Sequence, residues 1–478
     1  MDFPIFHLDF IGNRALIAII AVLHAVINHA LAVGLMPVVT MLEIKGFRLL
    51  KINPELAEKW DSLAYRILFF AFLITTTIGA MTGVGIWFSA SLVNPASIAS
   101  LIRVFFGAWF VEWLVFVTEV VLILLYFLTW KKLKANLLQK FKHVKYGLFL
   151  SFFSWITMAI IVSILSFMMD TGNWNNDRTF LYGFLNPVYL PQLFFRTPLA
   201  MTMGGMIAMF LTLIYTRKDL EFRKIALRSI SKWVLIWGPL AAAGAMLYYY
   251  MIPKSLVGNL PVAMGTLEFQ NWYSQIVIIV IVAIGLVIGM ANWSYFRPQT
   301  APAWLAGVSI LLIVGLMGHF ERLREFIRKP YVIGEYMYSN GLRVEDYPLL
   351  QRDGVLKHAN FVANKEVTDA NMLEAGRDVF ILTCSRCHTT NGAVNPITGK
   401  FTDMFGTKPW ETAQLKGYIK NMHSARYFMP PFPGNDRELD ALCAYIKELQ
   451  TNPQPVSGAQ DGLGFNKPKP SQPVAAVR

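Results

Sequence analysis

The chain of 478 residues is 55% hydrophobic and 14% aromatic, with 15% charged residues and a formal net charge of +13. That composition, with a mean hydropathy of +0.44, excludes a soluble globular protein and points to a chain dominated by membrane-spanning helices. The positive charge is no sign of nucleic-acid binding: no motif for it occurs, and the charge falls where membrane topology requires it.

In chain order, Met1–Gly12 lacks the basic start of a cleavable leader, and the apolar stretch after it is long enough to remain as a helix. Apolar runs then predict an all-α, polytopic bundle of about eight spanning helices. They lie near 14–41, 63–90, 101–129, 146–169, 193–216, 233–252, 274–292 and 303–320. The connections alternate in charge. Lys131–Lys145 carries six Lys and no acid, and Arg217–Lys232 carries six Lys or Arg. By contrast, Ser91–Ser100 has no charge, Asp170–Gln192 has one Arg and Pro253–Trp272 has one Lys. The positive-inside rule puts the two basic connections in the cytoplasm, and so both ends of the chain outside it.

Ionisable groups inside the spans are expensive, so each is a candidate functional residue. They are His24 and His29 on the first span, Glu112 and Glu119 on the third, and His319, Glu321 and Glu325 around the outer end of the eighth. Counted inward from the outer face, His24 and Glu112 fall at similar depth and could meet one metal centre from opposite helices. Glu112 and Glu119 are seven residues apart on one helix face, a spacing suited to a proton path. Competing readings stand beside these. His29 as a packed, hydrogen-bonded core histidine is as good a reading as a ligand, and His319 and Glu321 fit a solvated or ion-paired role at the interface.

Beyond the bundle (1–325), residues 326–370 read as an outer connector, polar over Asp353–Asp369, and 371–451 as a small helical domain. Its mark is CSRCH at Cys384–His388. Two thiols and an adjacent imidazole at this spacing attach a c-type heme, each Cys adding across a vinyl group while His388 sits under the iron. A zinc site would need a second pair of ligands, and the one other cysteine, Cys443, lies on an apolar helix face at Asp436–Leu449. Helical spacing leads into the motif from Glu374. The segment between, with YFMPPFPG, resembles small class I cytochromes c, in which a Met ahead of prolines gives the distal sulfur. That implies Met429; Met404 and Met422 lack a following proline pair. Covalent heme is attached outside the cytoplasm, which agrees with the charge-based topology. Residues 452–478, rich in Pro, Gly, Gln and Ser, read as a disordered tail.

The first five helices and the segment after the eighth resemble subunit I of cytochrome bd oxidases. The resemblance lies in Arg14 with His24 ten residues on, LEIKG at Leu42–Gly46, TIGAMTGVGIWF at Thr77–Phe88, GAWFVEWLVFVTE at Gly107–Glu119, LNPV at Leu185–Val188 and REFIRKPYVIGE at Arg324–Glu335. It implies Glu325 as ligand of a high-spin heme b and Arg328 beside heme propionates. It further implies His24 as axial ligand of the O2-reactive heme, b or d, with Glu112 and Glu119 as its acid and proton route. The chain departs from that family in three ways. Arg196 stands where the family has the histidine of its low-spin, quinol-facing heme, and Arg cannot ligate iron. No Met occurs in the matching part of Phe269–Gly285, and the long outer quinol loop is absent. The whole looks like the cytochrome c-fused, non-quinol branch of the bd superfamily, in the bacterial inner membrane. The same resemblance implies a second multi-helix subunit, a periplasmic cytochrome or other donor, and O2 as acceptor. Two other functions stay open: an electron conduit between quinone or a partner complex and cytochrome c, without O2 reduction, or a membrane anchor bearing heme c alone.

Overall fold

The protein is described by a computed structural model over residues 6–133, 136–265 and 273–453. The tail expected beyond 453 and residues 266–272 lie outside the described residues. Eight helices are long and apolar enough to cross a membrane: α1 (Asn13–Leu49), α2 (Pro54–Val93), α3 (Phe106–Leu128), α4 (Leu137–Phe167), α5 (Tyr189–Tyr215), α6 (Leu220–Met251), α7 (Tyr273–Phe296) and α8 (Ala303–Ile327). Several extend beyond the expected boundaries. α1, α2, α4 and α6 each continue by two or more turns into the polar sequence at one end, because charged side chains there solvate a helix end as well as a loop.

The chain divides into two compact units. The membrane unit comprises Ala21–Val84 and Val104–Ile327. α5 is its most enclosed helix, packed by α6, α1, α8 and α4. Small residues set the closest approach. A Cβ on Gly34 would lie 1.9 Å from the Ala200 carbonyl oxygen, and one on Gly204 would lie 2.1 Å from the Gly34 carbonyl carbon. Only hydrogen fits at that crossing, where α1 is wound as a π-helix over Asn28–Leu35. Leu35, Met36, Val38, Val39, Ile67, Met206 and Ile230 fill the core around it.

The second unit gathers Met1–Ile20, Gly85–Arg103 and Arg328–Arg478. It holds a two-stranded hairpin, β1 (Tyr331–Ile333) and β2 (Met337–Tyr338), followed by helices α9 (Tyr347–Asp353), α10 (Met372–Thr383), α11 (Ile397–Phe405), α12 (Thr412–Ala425) and α13 (Asp436–Thr451). α10 and α13 pack together as the main helix pair. α13 starts with a capping box, the Asn435 side chain accepting from the Glu438 N–H while Glu438 reaches back to the Asn435 N–H. The Glu438 carboxylate also accepts from the Val355 and Leu356 N–H groups at 2.9 and 2.8 Å.

Those bonds tie the segment ahead of α10 to the start of α13. Tyr338, Leu342, Tyr347, Leu350, Val355 and Leu356 share one apolar core with Val379, Phe380, Leu442 and Ile446. The reason lies in the sequence before Asp353, whose aromatic and aliphatic residues need a surface to bury against.

Candidate functional site

The heme-attachment segment continues directly from α10. Its helix ends at Thr383, and the Cys387 and His388 N–H groups both turn back to the Cys384 carbonyl, at 3.0 and 2.9 Å. This tight turn brings both thiols, neither in a disulfide, and the imidazole together. His388 Nδ1 lies 3.2 Å from the Asn395 carbonyl oxygen, to which it donates as the Nδ1–H tautomer. Asn395 is itself in the left-handed region, φ 52°, and its amide donates to the Cys387 carbonyl at 2.8 Å. Nε2 is thereby left as the nitrogen that could ligate a metal, and burial lowers the imidazole to about 4, so that it is neutral and carries a lone pair.

The neighbouring Arg386 is wholly buried. Its guanidinium donates to the main-chain carbonyls of Val93 and Asn340, and burial pulls it down to about 10. Residues 7–10 are bonded to the loop that follows the motif. Asp9 accepts from the Thr390 N–H at 2.6 Å and the Thr390 hydroxyl at 2.7 Å, and pairs with His7 Nε2 at 3.0 Å. The Ala393 N–H donates to the Phe10 carbonyl at 3.1 Å. Neither His7 nor Asp9 stands out in the sequence: both sit ahead of the first apolar run, and only contact across 381 positions with Thr390 gives them a role.

Phe401, Trp410, Leu415, Ile419 and Phe432 supply apolar walls, with Met404 and Met422 packed against them. The carbonyl of Met429 accepts from His423 Nδ1 at 2.6 Å, fixing the main chain just before the proline pair. Cys443 is fully buried in the same core, with its thiol pushed up to about 12, and is a packing residue. The donor set and the walls fit a covalent heme c held by Cys384, Cys387 and His388.

In the membrane unit, His24 Nδ1 is 3.2 Å from both the Gly79 carbonyl and the Thr82 hydroxyl of α2. Its ring lies against Gly83. Nε2 is again the nitrogen not used in these bonds, which fits an iron ligand. His29 differs. Its Nδ1 donates to the Ala25 carbonyl at 2.7 Å, and its Nε2 accepts from Arg196 at 3.1 Å. Both nitrogens are engaged, so His29 belongs here to a polar network. The network continues from Arg196 to Glu321 at 2.5 Å and from Glu321 to Arg324 at 2.9 Å. Arg196 is therefore an internal ion-pair partner, and Glu321 is enclosed between two guanidinium groups. His319 and Glu325 are half-buried on the last turns of α8, and the buried Arg328 donates to the Val332 carbonyl at 2.5 Å.

The Glu119 carboxylate accepts from the Thr157 hydroxyl at 2.5 Å, which places it between α3 and α4, with Glu112 half-buried on the same face of α3. Among the described residues no hydrogen bond joins Glu112 to His24. Equal depth does not settle their bearing around the helix axes, and α2 packs against both α1 and α3.

Sequence reasoning missed a further cluster. The Lys140 ammonium pairs with Glu43 at 2.7 Å and with Asp61, and Trp130 Nε1 donates to Asp61 at 2.9 Å. His143 Nδ1 meets Glu43 at 2.5 Å, and the Tyr126 hydroxyl donates to Glu43 at 2.7 Å. In the sequence Lys140 and His143 read as part of a solvated basic loop. Their spacing with Gly147 and Ser151, one helix face, is the signal that could have found them.

Residues 371–446 match the family described as cytochrome C oxidase, cbb3-type, subunit III. The fold is similar to one described as the structure of bd oxidase from Geobacillus thermodenitrificans, with a TM-score of 0.53 and 15% sequence identity, covering 69% of this chain and 90% of that one. No curated protein matches the chain. At that identity the likeness speaks for fold, and the fold and the matched domain together describe a multi-pass membrane electron-transfer protein that joins a bd oxidase-like helix bundle to a C-terminal cytochrome c domain.

Proposed function

We propose that the protein is a cytochrome c-linked oxygen reductase of the bacterial inner membrane. Electrons enter from a periplasmic cytochrome or other donor at heme c and pass to high-spin hemes, b or d, in the bundle, where O2 is reduced. One observation carries this reading. Arg196, in place of the histidine of a quinol-facing heme, is locked in a buried ion pair with Glu321, in a chain that also builds a complete heme c attachment site.

When bound, the hemes supply the redox couples and the site for O2, and the chain supplies placement and protons. Cys384 and Cys387 would hold heme c covalently, and His388 Nε2 and the Met429 sulfur would ligate its iron. His24 Nε2 would ligate the iron of the reactive heme, Glu325 would ligate a second high-spin heme and Arg328 would pair with heme propionates. Glu112 and Glu119 move protons. The basic ends of α1, α4 and α6 face the cytoplasm, and a second multi-helix subunit completes the assembly.

The test is O2 uptake by the purified protein in detergent. Reduced soluble cytochrome c or an artificial donor should sustain turnover, while quinol should sustain little. Robust quinol-driven uptake blocked by quinone-site inhibitors would reverse the assignment of electron entry.

A further inference from the structure

We propose that the groove between α1 and α4, at the basic ends of these spans, binds one anionic phospholipid, its headgroup on Lys45 and Arg48 and one acyl chain laid along α1. The groove lies apart from every residue assigned above to a heme or to proton transfer, so the site does not depend on the oxygen-reductase reading.

The groove has a volume of about 340 Å³. That is near the small end of ligand sites, which span about 300–1,000 Å³, and it suits one chain rather than a whole lipid. Its wall on α1 runs from Pro37 through Met41 and Ile44 to Arg48, and Leu148 and Ser151 of α4 face it. Pro37 and Arg48 stand eleven positions apart. At about 1.5 Å per residue the wall is about 16 Å long, close to half of the roughly 30 Å hydrocarbon core of a bilayer.

Charge is confined to one end. Lys45 and the exposed Arg48 form the mouth, and Lys45 has both Arg48 and Lys232 within electrostatic range. Lys145, exposed on α4 one turn from Leu148, holds its ammonium 4.7 Å from the centroid of the Phe141 ring. Among the described residues no carboxylate pairs with Lys45, Arg48, Lys145 or Lys232. Glu43, two positions from Lys45, is turned inward, where it accepts from the Tyr126 hydroxyl at 2.7 Å and pairs with Lys140 at 2.7 Å. The mouth therefore carries positive charge that no described acid neutralises, and cations gathered in this way attract an anion.

Beyond the mouth the groove is apolar in character. Its two hydroxyls are bonded within their own helices, Thr40 donating to the Met36 carbonyl at 3.0 Å and Ser151 to the Gly147 carbonyl at 2.8 Å. Its floor is tightly packed. A Cβ on Gly147 would fall 2.6 Å from Thr40 Oγ1 and 2.8 Å from the Tyr126 hydroxyl oxygen, so α4 meets α1 and α3 with no room for a side chain between them. A phosphodiester at the mouth and hydrocarbon beyond it match this division. The cations take the negative headgroup at the membrane surface, as basic pockets between spanning helices do, while Pro37, Met41 and Ile44 cover the chain. A zwitterionic lipid would bring an ammonium group to the same cations and is disfavoured. A soluble anion would have no use for the apolar trough, and a helix, about 10 Å across, is too wide to enter it.

The test uses the full purified chain with its hemes, in detergent supplemented with phosphatidylglycerol or phosphatidylcholine of the same acyl chains, and counts retained lipid by native mass spectrometry. Lys45→Gln with Arg48→Gln removes the mouth, and Ser151→Phe fills the trough. Arg217→Gln with Lys218→Gln removes the same charge from the connection of α5 and α6, outside the groove. The expected result is one phosphatidylglycerol held per chain in preference to phosphatidylcholine. Each basic side chain contributes roughly a factor of five to such binding, so the mouth variant should weaken it by about tenfold or more. Ser151→Phe should weaken it too, and the change at Arg217 and Lys218 should leave it at the wild-type level. Equal retention of the two lipids, or wild-type retention in the mouth variant, would overturn the site. Retention lost in the mouth variant but kept in Ser151→Phe would mean a headgroup held without its chain and would overturn the seat proposed for the acyl chain. Should the mouth variant fail to assemble, as judged by gel filtration and the heme c band, Arg48→Gln with Lys145→Gln is read by the same criteria, and Leu148→Trp likewise replaces Ser151→Phe.

Discussion

His388 is held by its Nδ1, which leaves Nε2 without a role in that bond, and burial keeps the ring neutral at working pH. Replacing Cys387 or His388 with Ala should remove the c-type absorption band, and size-exclusion chromatography should still show an assembled membrane unit. Loss of the bundle in these variants would show that the two units do not fold independently. Asp9 makes a second prediction. Burial alone would raise its carboxyl, but the bonds from His7 and Thr390 outweigh that and hold it below the usual 3.8. A carboxylate lowered in the folded state stabilises above its unfolded pKa, and that contribution fades as pH falls through the folded value. Asp9→Asn should therefore cost about 1–3 kcal/mol of stability in the unit around the heme motif at pH 7. The difference from wild type should shrink below about pH 4. Acid and denaturant titrations of the heme c spectrum measure both; a deficit that stays constant down to about pH 2.5 would contradict the assignment.

The α1–α5 crossing and the Arg196 network show at the level of elements what pattern reading can and cannot reach. Eight spans are legible because each is a long apolar run, and CSRCH is legible because its chemistry depends on local spacing. The Gly34–Gly204 contact is not, since nothing local to either glycine says which helix it will meet. Arg196 is recognisable as unable to ligate iron, but its partners His29 and Glu321 lie 167 and 125 positions away. The cluster of Glu43, Asp61, Lys140 and His143 is hidden for the same reason: each member reads locally as a charged helix end. Arg196→Ala should leave Glu321 with Arg324 as its remaining guanidinium partner and destabilise the bundle by about 1–3 kcal/mol, against a smaller loss for the double change Arg196→Met with Glu321→Gln. Thermal unfolding in detergent compares them, and equal losses would mean that the ion pair is not what holds α5 to α8. Gly204→Val should prevent the close approach of α1 and α5 outright and abolish accumulation of the protein.

For the molecule as a whole, residues 338–356 share one apolar core with the cytochrome helices. A chain cut within that core, for example between Leu350 and Val355, should yield an unstable cytochrome fragment, whereas a fragment starting before Tyr331 should retain more of its structure. Limited proteolysis followed by heme staining would show which boundary the fold respects. The central claim, that a heme c domain serves high-spin membrane hemes, meets its most direct test in a pyridine hemochrome spectrum with heme quantitation, joined to a CO difference spectrum of the reduced protein. The account predicts heme c together with non-covalent heme that binds CO, the CO signal being lost in His24→Ala while heme c remains reducible. Heme c alone, or heme c with only CO-silent low-spin heme b, would contradict it.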